Sequence, residues 1–537
     1  MKKIFYVLSL AVVLFACDDD SNNDVLGDGI TSDSEALALA NAVYGPLQTL
    51  SSSYGFVLES GTESTISFEG TEDEPGPLVS RFETTPSNWY PIKIFSRLYK
   101  SIGAANLAIE QISAAEVGSN LTQATKDLTV ARAKFIRGYD YFNLVQLFGE
   151  VPLILSSGTT DKTRASIDDI YTQIVKDLTE AKSGLPEVDA NKSNPSKGAA
   201  NAILAKVYLT WGQNPLSQAQ VQAIVSGTTD PAHSVDDAKL EKAVAFADSV
   251  INSGKYQLLA DYNEIFGRAQ ENGAEHIFTI QHYGDGIDAQ GNHQTHCAFT
   301  NKFDLVTDNH IGPADITLID RFDENDTRKA YSYTTVLTNP LDLANYNFTW
   351  PVTTARYGKF IHRASVGSTL AVDAQPNDID HIDFRYAEVL LIKAEALFFQ
   401  NKASEALPLV NKLRERAFGG HYEHYRLTSL TKEALFKEWD LEFTYEQKHW
   451  TNLVRWKTLI ATVRTVSGFE YFDDKYASAT SIVSNFSDEN VNSAFFAKVY
   501  KHLHAKYNNV TGKFYRFPIP QGESGEDLGI SPQNPGY

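Results

Sequence analysis

Cysteine and methionine are almost absent from this chain of 537 residues. It contains two cysteines, Cys17 and Cys297, and its one methionine is Met1. The sequence around Cys17 marks this cysteine for modification, as described below, so no internal disulfide can form between unmodified cysteines. The fold must therefore be stabilised by packing and polar contacts rather than by covalent links.

Positive charge is also scarce. The chain has 47 lysine and arginine residues against 67 aspartate and glutamate residues, which gives a net charge of −20. A surface with this charge repels nucleic acid and anionic membranes at long range. We therefore predict no nucleic-acid partner.

The motifs of several enzyme classes are missing. The sequence has no Walker loop, no dinucleotide-binding fingerprint and no Gly-x-Ser-x-Gly elbow. The alternating carboxylates Glu438, Asp440 and Glu442 would point to different faces of a helix, which does not suit an acid–base pair. Neither the histidines at 421 and 424 nor the acidic stretch 320–328 completes a metal-ligand set. We predict a binding protein without catalytic residues, metal or cofactor.

The amino end has the pattern of a lipoprotein signal. Two lysines precede an apolar run over 4–16, which is shorter than the roughly 20 residues that a membrane-spanning helix needs. The run ends at Leu14-Phe15-Ala16-Cys17, which resembles a bacterial lipobox, and an acidic stretch follows. We predict a signal peptide at 1–16, then a lipidated Cys17 and a solvated acidic tether at 17–30.

Apolar residues at helical spacing dominate the rest of the chain. The clearest case is a helical hairpin over 384–418, whose first helix has one apolar face made of Phe384, Ala387, Leu391, Ala394 and Phe398. Similar patterns predict further hairpins over about 92–254. Their irregular separations indicate a mainly α fold of degenerate, tetratricopeptide-like hairpins with few short strands. Loop-rich insertions would lie at about 51–91 and 262–380, within one domain over 31–537.

Five segments, taken together and in their order along the chain, resemble one family. They are Phe384–Leu397, Phe148-Gly149-Glu150-Val151-Pro152-Leu153, Leu453-Val454-Arg455-Trp456, Phe517-Pro518-Ile519-Pro520 and Gln533-Asn534-Pro535-Gly536-Tyr537. Together they resemble the SusD/RagB family, surface lipoproteins with which Bacteroidetes capture nutrients. The resemblance implies a SusD-like fold and a surface-exposed lipoprotein of the cell outer membrane. It also implies delivery of an oligosaccharide to a SusC-like TonB-dependent transporter.

Residues 438–456 resemble an acidic-aromatic helix of this family, so the resemblance implies one helix there. Two further local predictions concern single positions. His449 stands where the family usually has arginine and Asn452 where it usually has aspartate, so a hydrogen bond between them would replace an ion pair. Asp326 and Arg328 match an Asp-x-Arg element of the family, for which a structural salt bridge is the better explanation.

The ligand site is expected on the insertions, because loops vary more freely than scaffold helices. A sugar ring has one apolar face and a rim of hydroxyls, so it needs a flat aromatic platform with polar groups at its edge. Trp350 is the first candidate, because its surroundings show no regular periodicity. The full set of candidate ligand-binding residues is Trp350, Trp89, Tyr346, Tyr283, Arg81, Asn88 and Asp73.

Two other functions remain open at this point. Some members of the resembled family take up peptides, so a RagB-like peptide-binding lipoprotein would keep the role and change the ligand. The second alternative is a helical-repeat adaptor that binds only other surface proteins. It would have the same helical scaffold but no nutrient ligand. Exposed aromatic side chains on the insertions would favour glycan, a deep polar cleft would favour peptide, and a featureless surface would favour the adaptor.

Overall fold

The structure is a computed structural model. It describes residues 29–48, 50–67, 74–266, 270–282, 314–315, 321–334, 336–338, 347–349, 356–357, 359, 364–366, 369–371, 380–466 and 502–537. The predicted signal peptide, Cys17 and most of the acidic tether lie outside the described residues, and the division into one domain stays a prediction. Among the described helices, none combines the length and apolarity needed to span a bilayer.

Helices make up most of the described chain, as predicted. They are α1 (Asp33–Ala42), α2 (Gly45–Gln48), α3 (Leu50–Ser60), α4 (Pro75–Ser80), α5 (Trp89–Ala114), α6 (Gln123–Phe148), α7 (Ile167–Gly184), α8 (Lys197–Trp211), α9 (Gln218–Ile224), α10 (Asp237–Ile251), α11 (Thr327–Ser332), α12 (Tyr386–Phe399), α13 (Ala403–Phe418), α14 (Tyr422–Tyr425), α15 (Lys432–Glu442), α16 (His449–Trp456) and α17 (Leu459–Val466). Residues 502–509 are also helical.

Side-chain caps fix where the long helices begin. Asn88, Thr122, Ser166 and Ser196 each accept a hydrogen bond from a backbone N–H in the first turn of α5, α6, α7 and α8. Each cap satisfies an N–H group that has no partner within the helix, and replacing such a residue by alanine typically costs about 1 kcal/mol.

The helices pack as hairpins. Close neighbours are α5 with α6, α6 with α7, α8 with α10, and α12 with α13. A small residue permits a close approach of α6 and α7: a Cβ atom added to Gly138 of α6 would lie 3.1 Å from Leu178 Cγ and 3.3 Å from Asp177 Cβ of α7. Helical hairpins therefore form within residues 92–254 and 384–418.

The described strands are short. They are β1 (Thr65–Ile66), β2 (His276–Ile280), β3 (Ala314–Asp315), β4 (Tyr333–Thr334), β5 (Val336–Thr338), β6 (Asn347–Thr349), β7 (Arg356–Tyr357), β8 (Ala364–Val366), β9 (Thr369–Ala371) and β10 (His381–Arg385). The buried antiparallel pair β2–β10 brings the start of α12 back to the segment after α10. The other pairings are β1–β3, β4–β7 and a four-stranded sheet in the order β6-β5-β9-β8.

A group of charged side chains lies in the interior between β10, α11, α13 and α15. This buried ion-pair cluster consists of Asp326, Arg328, Lys359, Arg385, Arg414, Arg416, Glu275, Glu438, Glu442 and Glu446. The predicted salt bridge between Arg328 and Asp326 is part of it, with Nη2 2.7 Å from Oδ2, and is confirmed. The carboxylate of Glu442 lies 2.9 Å from Nη1 of Arg328 and 2.5 Å from Nη1 of Arg385, and it also forms an ion pair with Arg416.

Two expectations about residues 438–456 were wrong. The segment is not one helix: α15 ends at Glu442 and α16 starts at His449, because Tyr445 and Gln447 between them adopt left-handed φ angles of 63° and 61°. His449 does not hydrogen-bond Asn452. Its two ring nitrogens contact carboxylates instead, while the amide oxygen of Asn452 accepts from Arg455 at 2.9 Å. Position 449 is therefore still paired with carboxylates, but by a histidine instead of the arginine that is usual in the resembled family.

Candidate functional site

Among the large hydrophobic side chains of the described residues, three are exposed, and Trp89 is the aromatic one. It is the first residue of α5, and 47 % of its surface is accessible, whereas the next residue, Tyr90, is only 4 % exposed. The Tyr90 ring meets the indole edge to face, at 5.0 Å between ring centroids and 85° between ring planes. Tyr90 therefore anchors the start of the helix and leaves the indole open to solvent.

Polar groups stand beside this indole. Lys93, one turn along α5, places its ammonium 5.6 Å from the centre of the Trp89 ring and 3.3 Å from a carboxylate oxygen of Glu523. Lys100 contacts the same carboxylate at 3.0 Å, and the Ser96 hydroxyl donates a further hydrogen bond to it. Trp89, Lys93 and Glu523 thus form an aromatic platform with a charged rim, which we call the Trp89 platform.

The loop that carries Glu523 is held in place by the backbone. The N–H of Gln521 donates to the carbonyl of Pro86 at 2.9 Å, three residues before Trp89. Partial burial raises the pKa of Glu523, but the Ser96 hydrogen bond and the charge of Lys100 outweigh it and lower the pKa to about 2. The rim carboxylate of Glu523 is therefore ionised at neutral pH.

Comparison with known proteins decides the family. A family model described as the SusD family matches residues 233–537, which is more than half of the chain. The chain belongs to the SusD family. A second family model, described as starch-binding associating with outer membrane, matches residues 77–209, the part that contains Trp89, helices α5 to α7 and most of α8.

Individual relatives agree with this assignment. A SusD-like protein, P2, of Formosa agariphila is 27 % identical over 404 residues, which cover 71 % of this chain and 74 % of the relative. The crystal structure of a SusD homolog from Bacteroides thetaiotaomicron has a TM-score of 0.69 at 21 % identity and covers 95 % of this chain and 98 % of that one. A structure described as a laminarin binding SusD-like protein has a TM-score of 0.66 at 21 % identity, with 95 % and 100 % coverage. At these identities the two structures establish the SusD fold alone.

Two of the other predicted site residues are described and serve the scaffold of this SusD-family protein. Asn88 is 3 % exposed; its side-chain oxygen caps α5, and its side-chain nitrogen donates to the carbonyl of Pro75 at 3.0 Å. Arg81 is 5 % exposed and donates two hydrogen bonds to Glu83, at 3.0 and 2.8 Å. Both are buried, so of the described candidates only Trp89 presents its side chain to solvent.

The remaining predicted ligand residues lie outside the described part of the chain. They are Trp350, Tyr346, Tyr283 and Asp73. Their role stays a prediction. Lys93 and Glu523, by contrast, were not predicted. Lys93 follows Trp89 by four residues and so shares its helix face, which the sequence signals. Glu523 is 430 residues away from Lys93, and no local pattern connects the two.

The alternating carboxylates of α15 have structural partners. Glu438 pairs with Arg328 at 2.7 Å and with Arg414 at 3.0 Å, and Glu442 pairs with three arginines. Burial raises the pKa of Glu442, but Arg416, Arg385 and Arg328 outweigh it and hold the pKa well below its usual range. A carboxylate neutralised in this way is a poor proton donor or acceptor at neutral pH.

A polar cavity of about 60 Å³ lies between α3, α6, β10 and α16. Its polar lining includes Tyr54, Tyr139, Lys206, Asp383, Glu388 and Lys448. Ligand pockets usually enclose about 300–1,000 Å³, whereas a buried water needs only about 10–15 Å³. The opposite charges also pair across it, with Lys206 3.1 Å from Glu388. This cavity suits a few waters rather than a sugar ring. Within the described chain, no group of three or more potential metal ligands occurs.

Proposed function

We propose that this protein binds glycans at the surface of the outer membrane and passes them to a SusC-like TonB-dependent transporter. The Trp89 platform is the observation that carries the glycan part of the proposal. An indole that is 47 % exposed leaves apolar area in contact with water, and the described chain offers no partner that covers it. Membership of the SusD family supports the same role.

The chemistry of the platform suits a sugar ring. The apolar C–H face of a pyranose stacks on the indole, while the ammonium of Lys93 and the carboxylate of Glu523 are within reach of ring hydroxyls. One aromatic contact contributes about 0.5–1.5 kcal/mol, so a few such contacts give micromolar to millimolar affinity. Moderate affinity suits a protein that must release its ligand to a transporter. Binding without catalysis completes the proposal.

Replacing Trp89 by alanine is expected to weaken glycan binding about 2- to 13-fold, since that is the loss of one stacking contact. The measurement is affinity-gel electrophoresis of residues 18–537 on laminarin, starch and other polysaccharides. Val117→Ala is the matched control, because Val117 is exposed to the same extent, 47 %, but offers no ring. Trp350→Ala, run beside them, tests the first sequence-based candidate.

The outcomes separate the alternatives. Retention that Trp89→Ala reduces and Val117→Ala preserves supports the platform. Retention that only Trp350→Ala reduces keeps the glycan function and moves the site. No retention on any polysaccharide argues against the glycan and turns the proposal to a RagB-like peptide ligand or to an adaptor.

The transporter partner has its own test. We propose that acylation of Cys17 anchors the protein and that it covers the barrel as a lid, with its helical hairpins docked on the transporter. Gentle detergent extraction of the native membrane is expected to yield both proteins together, and Cys17→Ala is expected to release the lid into the soluble fraction. Extraction without a copurifying barrel would count against this arrangement.

A further inference from the structure

A second cavity, of about 40 Å³, lies where α7, α8, α16 and the carboxyl-terminal segment meet. Its polar lining comprises Gln146, Tyr171, Thr210, Thr451, Arg455, Lys457, Tyr515 and Arg516. Three of these side chains are cationic, and the lining contributed by the described residues contains no carboxylate. We call this space the cationic cavity.

Two of the three cations are already neutralised. Arg455 donates to both carboxylate oxygens of Glu395, each at 2.9 Å. Arg516 donates to the carboxylate of Glu150 and to the carbonyl of Leu216. Neither Glu395 nor Glu150 belongs to the cavity lining, so both guanidinium groups are paired on sides other than the cavity.

Lys457 is the cation without a counter-charge. It is 6 % exposed and follows α16 with a left-handed φ of 57°, which directs its chain back over the end of the helix. Among the described residues its ammonium has one hydrogen bond, to the carbonyl of Val454 at 3.3 Å, and no carboxylate within ion-pair distance. Burial lowers the pKa of Lys457, and the charges of Arg455 and Arg516 lower it further, to about 7.

A free hydrogen-bond donor faces the same space. Tyr171 is 1 % exposed, its ring stacks on Trp211 at 5.3 Å, and its hydroxyl has no hydrogen-bond partner among the described residues. Burial raises the pKa of Tyr171, so the phenol keeps its proton at neutral pH. Because Tyr171 lines the cavity, its hydroxyl can donate a hydrogen bond to an acceptor held there.

We propose that the cationic cavity binds a small monovalent anion of the size of chloride, held by the ammonium of Lys457 and the hydroxyl of Tyr171. One negative charge would neutralise the one unpaired cation, and a space of about 40 Å³ admits a halide but not a sugar acid. The anion would link α7, in the amino-terminal half, to the end of α16 and to the carboxyl-terminal segment. This site is independent of the proposed glycan function.

The test measures how the Tm of the purified full-length protein depends on halide. Exchange of sodium gluconate for sodium chloride at constant ionic strength is expected to raise Tm by a few degrees, because an ion that binds only the folded state stabilises it. Bromide soaked into crystals is expected to give an anomalous peak between Lys457 and Tyr171. Lys457→Met should abolish the chloride response and raise Tm in gluconate, since it removes an unpaired buried charge.

A matched pair of variants tests the hydroxyl. Tyr171→Phe is expected to weaken the chloride response, whereas Tyr208→Phe is expected to leave it intact. Tyr208 belongs to the same aromatic stack, at 6.1 Å from Trp211, but does not line the cavity. The proposal is overturned by a wild-type Tm that is equal in both salts, by a chloride response that survives Lys457→Met, or by bromide density only outside this cavity.

Discussion

Replacing Arg385 by methionine is expected to lower the free energy of unfolding by about 3–5 kcal/mol, because it leaves the buried ion-pair cluster with five carboxylates and only four cations. Arg385 is 1 % exposed and donates to Glu446 at 2.7 and 2.8 Å, to Glu275 at 2.9 Å and to Glu442 at 2.5 Å. Its loss leaves Lys359 as the remaining partner of Glu446 in the described cluster. Since proteins of this kind are stable by about 5–15 kcal/mol, the variant is expected to unfold at a much lower urea concentration.

An exposed ion pair provides the control for this variant. Lys197 and Glu187 are 2.7 Å apart with side chains 35 % and 71 % exposed, so Lys197→Met is expected to cost less than about 1 kcal/mol. Adding Glu446→Gln to Arg385→Met should recover part of the loss, because the cluster then holds four carboxylates and four cations and is again neutral. A loss below 1 kcal/mol for Arg385→Met, without recovery in the double variant, would mean that water reaches this cluster and solvates its carboxylates.

The helical hairpins could be predicted because their signal is local. The apolar residues from Phe384 to Phe398 recur every three or four positions, and that spacing alone places them on one face of α12. The split between α15 and α16 was missed because it depends on left-handed φ angles at Tyr445 and Gln447. Neither residue is a glycine or a proline, so the sequence gives no local sign of a helix end there.

The candidate site could be predicted only in part. Trp89 was among the predicted residues, but its sequence surroundings do not distinguish an exposed indole from a buried one. Tyr90, its direct neighbour, is 4 % exposed, and the difference depends on which way the first turn of α5 faces the core. Glu523 and Arg516 reach their partners across the whole chain, so only the folded structure relates them to Trp89 and to the cationic cavity.

The position of His449 shows how a local departure from a family pattern depends on distant partners. One ring nitrogen is 2.9 Å from Asp440 and the other is 2.9 Å from Glu63, and Arg321 contacts both carboxylates at 2.8 and 2.6 Å. Burial lowers the pKa of His449, but Glu63 and Asp440 outweigh it and raise the pKa well above its usual range. The imidazole therefore stays doubly protonated and takes the place of the guanidinium that the family usually has here.

This arrangement predicts a loss of stability as the pH rises. The pKa of His449 is higher in the folded state, so its contribution is fully present below the unfolded-state pKa of about 6.5 and is lost progressively above it, by up to about 1.4 kcal/mol per pH unit. The buried lysines at 206, 457 and 506, whose pKa values burial lowers to about 7, contribute the opposite slope. The wild-type slope is therefore a sum, and only the difference between wild type and His449→Gln isolates the histidine. In urea titrations from pH 6 to 9, this difference is expected to be largest at pH 6 and to shrink as the pH rises.

His276→Gln is the control for this experiment. Burial lowers the pKa of His276, so the difference in unfolding free energy between wild type and His276→Gln should change below pH 6.5 and stay constant above it. A wild-type advantage over His449→Gln that is the same at every pH would mean that the ring is neutral and contributes by packing alone.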